Sequence, residues 1–265
     1  MSPTARLTVT YVRTCTLIVQ MGGCTIVTDP WFSMRMRFLP ALRRPGVALS
    51  AVPTPDLILY SHLHADHFDR KALKRLAGPQ TLVVGPESTA RRMHKDTAGL
   101  VEEVRPGSTV ETRGLSIKAH PVNHTYPPPE ELGYVVAGGG FTFFFGGDAA
   151  YGPQFQQIGA ESPVDVAFLP VGGSRIFGKP TVMDPVQAVT AAEQLGASLM
   201  VPTHPGGDWL PLPPASRHPG RACHARQYAQ ESDSPVDVVC PQPGQTVAIE
   251  KNADRSLTHR LLTRA

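Results

Sequence analysis

The sequence predicts a mixed α/β (α+β) protein in which two β-sheets pack face to face and helices cover their outer faces. Apolar strands come in two blocks along the chain, and in each block amphipathic helices separate the first strands from later ones. No short repeat and no low-complexity linker divides the 265 residues. We therefore expect one domain over residues 1–265, with a core at about 5–210 and a C-terminal extension, 211–265, that completes the second half.

The first block consists of strands joined by tight turns. Apolar and polar residues alternate in LTVTYV (7–12), as expected of a strand with one buried face. The runs CTLIVQ (15–20) and CTIVTDP (24–30) flank Met21-Gly22-Gly23, which predicts a hairpin. DLILYS (56–61) is a short continuous apolar run, which favours a strand that is covered on both faces.

Two helices and another strand are expected next. Apolar residues recur at helical spacing in FDRKALKRLAGP (68–79), and the pattern stops at Gly78-Pro79. TLVVGP (81–86) is typical of a strand, and ESTARRMHKDTAG (87–99) is expected to form the second helix.

The second block repeats this order of strands and helices. Its strand-like segments are SIKAHPV (116–122), LGYVVAGG (132–139), FTFFFGGD (141–148), DVAFLPVGG (165–173) and SLMVPTH (198–204). The strongest helix prediction is MDPVQAVTAAEQLGA, where Asp184 can cap, Pro185 takes the first helical position and Gln187 completes a capping box. The tail should add a short helix around 222–229 and the strands VDVVC and TVAIE.

Composition and charge exclude several classes of protein. A formal charge of +3, with basic residues spread along the chain, argues against a nucleic-acid partner. No apolar run reaches the roughly 18–20 residues that a transmembrane helix needs, and the first residues lack the apolar centre of a signal peptide. The four cysteines show no CxxC spacing and are expected to be reduced thiols of a cytoplasmic protein. A homo-oligomer is compatible with the sequence.

A cluster of ionisable side chains, His62-Leu63-His64-Ala65-Asp66-His67, follows the DLILYS strand directly. Alternate residues of an extended segment face the same way, so His62 and His64 can point at one metal ion. Asp66 and His67 can reach a second ion as the chain turns into the helix. Imidazole and carboxylate ligands suit zinc, iron or manganese. A plain surface turn, with Asp66 as a helix cap, is the alternative, but three histidines directly after a buried strand favour the metal site.

Three positions downstream have the same character, because each is a His or Asp at the end of an apolar strand. They are His124, Asp148 and His204. Asp148 follows two glycines that leave room beside its carboxylate, and its two oxygens can bridge two cations that would otherwise repel each other. His120 is the alternative to His124, and His124 is favoured because it follows the strand and a Pro-Val-Asn turn.

These motifs resemble the metallo-β-lactamase fold superfamily. SHLHADH, the isolated His124, GGDAAY and PTH occur in the order that is typical of that superfamily. More narrowly, the chain resembles the branch of N-acyl-phosphatidylethanolamine phospholipase D-like and ascorbate-6-phosphate lactonase-like hydrolases, in stretches such as TIVTDPWFS and FQQIGAESPVDVAFLPVGG. The resemblance implies a four-layer αββα sandwich with a binuclear metal centre.

The resemblance also implies how the ligands divide between the two ions. One ion would be held by His62, His64 and His124, and the other by Asp66, His67 and His204, with Asp148 as the bridge. The chain departs from the branch at Arg13-Thr14-Cys15-Thr16, where relatives often have a histidine, and at Ala149, where they often have a threonine. Neither departure removes a ligand, but both concern residues that orient ligands.

The function hypothesis is metal-dependent hydrolysis. Two divalent ions, zinc first and manganese or iron next, would lower the pKa of a bridging water, and the resulting hydroxide would attack a phosphodiester or a lactone or ester bond of a small molecule or lipid. Asp66 and Asp148 are the candidate catalytic residues. The alternatives are an iron-dependent redox protein in the same ligand frame and a nuclease. A non-catalytic binding protein is disfavoured because the ligand set is complete.

The candidate substrate residues lie in loops near the cluster. Arg175 and Lys179 follow a Gly-Gly pair and could bind an anionic small molecule. Phe177, Tyr126 and Trp209 could form an apolar rim. Solvated loop charge and simple loop packing are the alternative interpretations of these five residues.

Overall fold

The computed structural model describes residues 5–123 and 131–262. Its β-strands are β1 (Ala5–Arg13), β2 (Thr16–Met21), β3 (Cys24–Thr28), β4 (Arg35–Met36), β5 (Leu39–Pro40), β6 (Leu57–Leu59), β7 (Leu82–Pro86), β8 (Leu100–Val104), β9 (Thr109–Thr112), β10 (Leu115–Pro121), β11 (Leu132–Gly138), β12 (Phe141–Phe145), β13 (Val166–Pro170), β14 (Arg175–Ile176), β15 (Lys179–Pro180), β16 (Leu199–Thr203), β17 (Ser216–Arg217), β18 (Asp237–Val238), β19 (Thr246–Lys251) and β20 (Leu257–Leu262). Its α-helices are α1 (Arg70–Leu76), α2 (Ala90–Asp96), α3 (Gln154–Glu161), α4 (Pro185–Gln194) and α5 (Ala222–Glu231). Within the described ranges, none of these helices has the length and apolar character needed to cross a membrane.

Two large sheets dominate the structure. The first has the strand order β20-β19-β1-β2-β3-β6-β7-β8 and the second the order β18-β16-β13-β12-β11-β10-β9. Strands β3, β6, β7 and β8 run parallel in the first sheet, as do β12, β13, β16 and β18 in the second. Because parallel strands end at the same edge of a sheet, the loops that follow them gather there.

The two sheets pack face to face and helices cover their outer faces, which confirms the predicted αββα sandwich. Phe143 and Phe145 of β12 are fully buried in the core between the sheets. Phe144, on the opposite face of the same strand, packs against Phe155 of α3 with ring centroids 6.0 Å apart. Full burial of each such side chain contributes roughly 1.5–3 kcal/mol. A strand covered on both faces therefore reads as an unbroken apolar run.

The strongest local predictions are confirmed. Gly22 and Gly23 both have positive φ and join β2 to β3 as a hairpin. Helix α4 begins at Pro185, and Asp184 and Gln187 form both hydrogen bonds of the capping box. Helix α1 begins after Asp69, whose carboxylate accepts from the amides of the first turn.

Several differences lie at the sheet edges, and helix α3 was also absent from the sequence predictions. The expected helix over 87–99 is shorter, with a 3₁₀ turn at Glu87–Thr89 followed by α2. Strands β8, β9 and β20 were absent from the sequence predictions. Each is an edge strand of its sheet, and most of their residues are exposed or half-buried. An edge strand has a neighbouring strand on one side only, and it is less covered by the rest of the protein. Its sequence can therefore lack the continuous apolar run that marks a central strand.

The C-terminal segment contributes to both sheets. Helix α5 packs against α4, and β18 extends the second sheet. Strands β19 and β20 instead belong to the first sheet, where β19 pairs antiparallel with β1. The sequence prediction did not include this second contribution.

Candidate metal centre

The histidine cluster follows β6 at one edge of the first sheet. Ser61, His62 and His67 are fully buried, and His64 is partly exposed. The chain turns at this point, because the amides of His67 and Phe68 both donate to the carbonyl of His64. The turn brings the rings of His62 and His67 to 4.2 Å between centroids.

Strands of the second sheet bring two further side chains to the same place. Asp148 follows β12, and His204 follows β16. Among the described residues, three groups result in which the atoms that could bind metal lie within 4.8 Å of one another. One consists of Cys15, Asp29 and His67, all of them buried. The other two overlap and form the two ligand groups: the first is Asp66, His67, Asp148 and His204, and the second is His62, His64 and Asp148. Asp148 is common to both groups, which is the position that a bridging carboxylate requires.

The distances show how closely nitrogen and oxygen atoms converge. One oxygen of Asp148, Oδ1, lies 3.1 Å from His67 Nε2 and 3.2 Å from His204 Nε2. The other oxygen, Oδ2, lies 4.0 Å from His62 Nε2. Asp66 Oδ2 lies 3.4 Å from His204 Nε2. Asp148 therefore faces histidines from both groups.

The electrostatics of this cluster favour a cation. Four carboxylates are buried here, namely Asp29, Asp66, Glu131 and Asp148. Burial, with the neighbouring Asp148 carboxylate, raises the pKa of Glu131 well above its ordinary value. Burial alone would lower the pKa of His67, but Asp148, Asp66 and Asp29 together raise it well above the ordinary value. A divalent ion supplies the positive charge that this site favours, so the imidazole and carboxylate donors fit bound metal.

Comparison with known proteins agrees with this geometry. A family model described as the beta-lactamase superfamily domain matches residues 25–205. The chain belongs to the metallo-β-lactamase superfamily. The matched region contains every predicted metal ligand of this superfamily member.

The relatives include proteins named for metal-dependent hydrolysis. A UPF0173 metal-dependent hydrolase of Nitratidesulfovibrio vulgaris is 31% identical over 200 residues, which cover 71% of this chain and 75% of the relative. A second UPF0173 metal-dependent hydrolase, from Methanopyrus kandleri, is 26% identical and covers 86% of this chain and 94% of the relative. The prediction of a metal-dependent hydrolase is thus confirmed at the level of the family. The narrower branch suggested by the sequence stays a prediction.

A solved structure supports the fold of this superfamily member. The metallo hydrolase Igni18 from Ignicoccus hospitalis superposes with a TM-score of 0.73 at 22% identity. The superposition covers 92% of this chain and 98% of that protein. This share of the chain is larger than the region 25–205 that the family model matches.

Asp29 orients two histidines of the centre, and the sequence analysis gave it no role. Its carboxylate accepts from Ser61 N at 2.8 Å, from Ser61 Oγ at 2.6 Å and lies 2.7 Å from His67 Nδ1. Because Ser61 Oγ gives its hydrogen to Asp29, it can accept from His62 Nδ1 at 3.0 Å. Both rings then present Nε2 to the cluster. One feature of the sequence could have identified Asp29: it is an acid directly after β3, the strand that pairs in parallel with β6.

Glu131 supports Asp148 and was also missed. The backbone amide of Asp148 donates to Glu131 Oε1, which lies 3.4 Å from His62 Nδ1. Gly147 has φ +55°, and a Cβ there would come within 2.6 Å of Glu131 Oε1 and of Ser61. The glycine before Asp148 is thus required by both backbone conformation and space.

Thr14 and Cys15 of the first hairpin hold the loops of the centre together. Thr14 donates through its amide and its hydroxyl to Asp208 Oδ2, at 3.1 and 2.9 Å, and its carbonyl accepts from the amide of His204 at 2.8 Å. Cys15 is buried with its thiol 3.4 Å from the carbonyl of Gly147. This first hairpin therefore positions the segment that carries His204.

Two residues proposed for the centre lie outside the described residues, namely His124 and Tyr126. His120, the alternative to His124, lies on β10 with a buried side chain. Ile117 and Ala119 of the same strand face the core between the sheets, so His120 faces the helix-covered side. It belongs to neither ligand group formed by the described residues. The identity of the middle ligand stays a prediction.

A cavity of about 310 Å³ opens beside the centre. It is lined by His64, Asp66, Asp148 and His204 at its base and by the hairpins β4–β5 and β14–β15 at its sides. The described lining residues are Met36, Arg37, Phe38, Leu39, His64, Ala65, Asp66, Asp148, Ser174, Ile176, Thr181, Val182, His204, Trp209, Ser216 and His218. Apolar side chains form most of the side walls.

The candidate substrate residues are distributed unevenly around this cavity. Trp209 lines it and packs edge-to-face on His204, with ring centroids 5.0 Å apart. Phe177 lies at the tip of the β14–β15 hairpin and is 77% exposed. Arg175 and Lys179 are exposed, and Arg175 lines a neighbouring cavity. Ser174, Leu39 and Ile176 also line the cavity, and nothing in the sequence indicated a role for them in the site.

Proposed function

We propose that this protein is a two-metal hydrolase that cleaves a carboxylic ester or lactone bond in a small molecule with apolar substituents. The observation that carries the proposal is the position of Asp148. It belongs to both ligand groups and lies at the base of an apolar cavity. A carboxylate in that position can hold two cations side by side, next to a chamber large enough for a small organic substrate.

The proposed ligands are sufficient for two ions, and zinc is the metal that we expect. His62, His64 and His124 would hold one ion, whereas Asp66, His67 and His204 would hold the other, with Asp148 between them. When bound, such ions activate water as a nucleophile and polarise the bond to be cleaved. Histidine nitrogens with carboxylates are ligands that zinc accepts readily.

Asp66 is the residue proposed to handle the proton. It lines the cavity, and its carboxylate is almost fully buried. Burial alone would raise the pKa of Asp66, but His67 and His204 beside it lower the pKa overall. An ionised carboxylate at this position can accept a hydrogen bond from the attacking water and deliver its proton to the leaving oxygen.

The cavity walls favour a carboxylic ester or lactone over a phosphodiester. A phosphodiester carries a negative charge and is usually bound by several cationic side chains. Arg37 is the sole lysine or arginine among the described lining residues, and it lies exposed on the β4–β5 hairpin. Met36, Leu39 and Ile176 instead offer contact to hydrocarbon. These walls suit an acyl chain or a ring better than an anion.

We infer a cytoplasmic location from the cysteines. All four are free thiols, and Cys15 and Cys24 are buried. A secreted protein with four cysteines would usually pair them. No disulfide links the described residues, which agrees with a reducing compartment.

The test begins with elemental analysis of protein purified without added metal. We expect two zinc ions per chain and turnover of p-nitrophenyl butyrate and of a γ-lactone. Bis-p-nitrophenyl phosphate should be cleaved far more slowly. Asp66→Asn should abolish turnover of the ester, and the surface variant His224→Gln should leave it unchanged.

Other results would overturn the proposal in different ways. Faster cleavage of the phosphodiester than of either ester would replace the substrate class. Iron with a visible absorption band would favour the redox alternative. Protein that contains no metal and cannot be loaded with zinc would contradict the two-metal site itself.

A further inference from the structure

We propose that His218 is a catalytic residue, which donates a hydrogen bond from its Nε2 to the oxygen of the substrate that gains negative charge during hydrolysis. This inference rests on the proposed function for the identity of that oxygen. The orientation of the imidazole rests on the structure alone. The role involves no transfer of a proton.

The hydrogen bond between His218 and Ser174 assigns the ring proton. His218 Nδ1 lies 2.8 Å from Ser174 Oγ, and Ser174 is almost completely buried. In the described part of the chain, this histidine nitrogen is the one hydrogen-bond partner of the Ser174 hydroxyl. If Nδ1 carried the proton, the hydroxyl hydrogen would be buried without an acceptor. The hydroxyl therefore donates to Nδ1, and Nε2 carries the ring proton.

The Nε2 atom is a donor with no acceptor of its own. It is buried and has no hydrogen-bond partner among the described residues. His218 lines the cavity together with Asp66, Asp148 and His204. A buried unsatisfied donor is costly, so an Nε2–H without a partner among the described residues, on a residue that lines the cavity, is suited to an acceptor oxygen of a bound ligand.

The backbone around His218 is closely packed, which fixes the direction of this donor. Gly220 donates to the carbonyl of Gly172, and Gly206 donates to that of Gly220. A Cβ on Gly206 would lie 1.9 Å from the carbonyl oxygen of His218, so only glycine allows this approach. Arg221 Nη1 also donates to the carbonyl of His218 at 3.0 Å. A donor held rigidly before substrate binds needs no reorganisation during the reaction.

A neutral imidazole suits a donor that keeps its proton. Burial, and next the proximity of His204, lower the pKa of His218 to about 4. Trp209 packs edge-to-face on the ring at 4.9 Å between centroids and shields it from water. A neutral N–H in an apolar wall stabilises a developing oxyanion more than the same group in water does.

The first experiment tests the ring proton without reference to activity. Long-range ¹H–¹⁵N spectra of the zinc-loaded protein, labelled at histidine, report the tautomer of each ring. The signals of His218 are identified by their loss in His218→Gln. A neutral ring with its proton on Nε2 is the expected result. A proton on Nδ1, or a charged ring at pH 7, would overturn the proposal.

The second experiment measures p-nitrophenyl butyrate hydrolysis by zinc-loaded variants. His218→Leu should lower kcat by about 10²-fold with little change in KM, because the hydrogen bond strengthens as charge develops. His218→Gln should recover most of the loss, since its amide also presents an N–H. Both variants should retain wild-type zinc content. A folded, zinc-loaded His218→Leu enzyme within twofold of the wild-type kcat would contradict the assignment.

The experiments give different results if the proposed function is wrong and if only the role of His218 is wrong. If the zinc-loaded wild-type protein cleaves no ester or lactone, the proposed function is wrong, whereas the ring proton is still decided by the spectra. If the wild-type protein cleaves the ester, the leucine and glutamine variants decide the role of His218. Ser174→Ala adds a further check, because loss of its hydroxyl should increase the proportion of the Nδ1 tautomer.

Discussion

His67 Nδ1 lies 2.7 Å from Asp29 Oδ2, and both side chains are completely inaccessible to solvent. The carboxylate thus fixes which nitrogen of His67 faces the cluster. Ser61 extends the same arrangement to His62. Although Asp29 is not itself a proposed ligand, it sets the orientation of one histidine in each ligand group.

This relationship predicts that Asp29→Asn weakens metal binding. An amide keeps the size of the carboxylate but loses one acceptor oxygen and the negative charge, so His67 and Ser61 can no longer both be satisfied. We expect affinity for zinc to fall about 10- to 100-fold. Competition with a chromogenic chelator measures the change. Asp254→Asn, on an exposed turn, serves as the matched control, and equal affinities for the two variants would contradict the assignment.

Metal removal should destabilise the protein. Asp66, Asp148 and Glu131 are buried close together, and without a cation their carboxylates repel one another. Zinc at about 100 times its dissociation constant should add about 2.7 kcal/mol to the free energy of unfolding. That corresponds to a rise in Tm of roughly 5–11 °C for a chain of this size. Thermal melts with and without chelator measure the shift.

The control for this experiment is Asp148→Ala, which removes the carboxylate shared by both ligand groups. Its Tm should respond far less to zinc than that of the wild type. A wild-type Tm that is the same with zinc and with chelator would contradict a metal site in the folded protein.

Gly147→Ala should be much more destabilising than an ordinary glycine substitution. The residue has φ +55°, which costs about 1–2 kcal/mol for an alanine. Its Cβ would also collide with Glu131 and Ser61, and such overpacking typically adds about 1–3 kcal/mol. Denaturant titration measures the sum.

Gly114→Ala separates the two effects, because Gly114 has φ +76° and no atom within 4 Å of the added Cβ. It should lose only the backbone contribution to the free energy of unfolding. Equal losses for the two alanine variants would show that the space beside Asp148 is not limiting.

A pair of variants decides the middle ligand. His124→Ala should reduce the zinc content from two ions towards one, because the ion held by His62 and His64 loses its third histidine. His120→Gln should retain both ions, since His120 lies on the helix-covered face of β10. Elemental analysis of the two purified proteins measures the difference, and loss of zinc from the His120 variant alone would reverse the assignment.

The sequence marks the candidate ligands much more clearly than the residues that support them. His62 to His67 form a dense local motif, and Asp148 and His204 each follow an unmistakable apolar strand. Asp29, Glu131 and His218 carry no such mark, because their roles come from contacts between distant segments. Asp29, a lone acid after β3, and His218, in a proline-rich loop, become informative only when the fold is known, because the fold brings them to the centre.

The fold shows the same division. Strands β12 and β16 are buried on both faces, and their runs FTFFF and LMVPT identify them at once. Strands β8, β9 and β20 lie at sheet edges, where half of the surface meets solvent and polar residues are tolerated. Their pairing is set by the neighbouring strand rather than by their own composition.

Strand β1 pairs with one strand that is close in sequence and with one that is distant, and this has a consequence for synthesis on the ribosome. Its pairing with β2 forms within a few residues, but its other partner, β19, arrives much later: Thr10 and Thr246, which bond side chain to side chain, are separated by 236 positions. At about 5–20 residues per second, translation of that interval takes roughly 12–47 s. Throughout it, one edge of β1 presents unpaired backbone donors and acceptors that could pair with another nascent chain. Strand β19, made long after β1, therefore also closes an edge that is open to aggregation until it pairs.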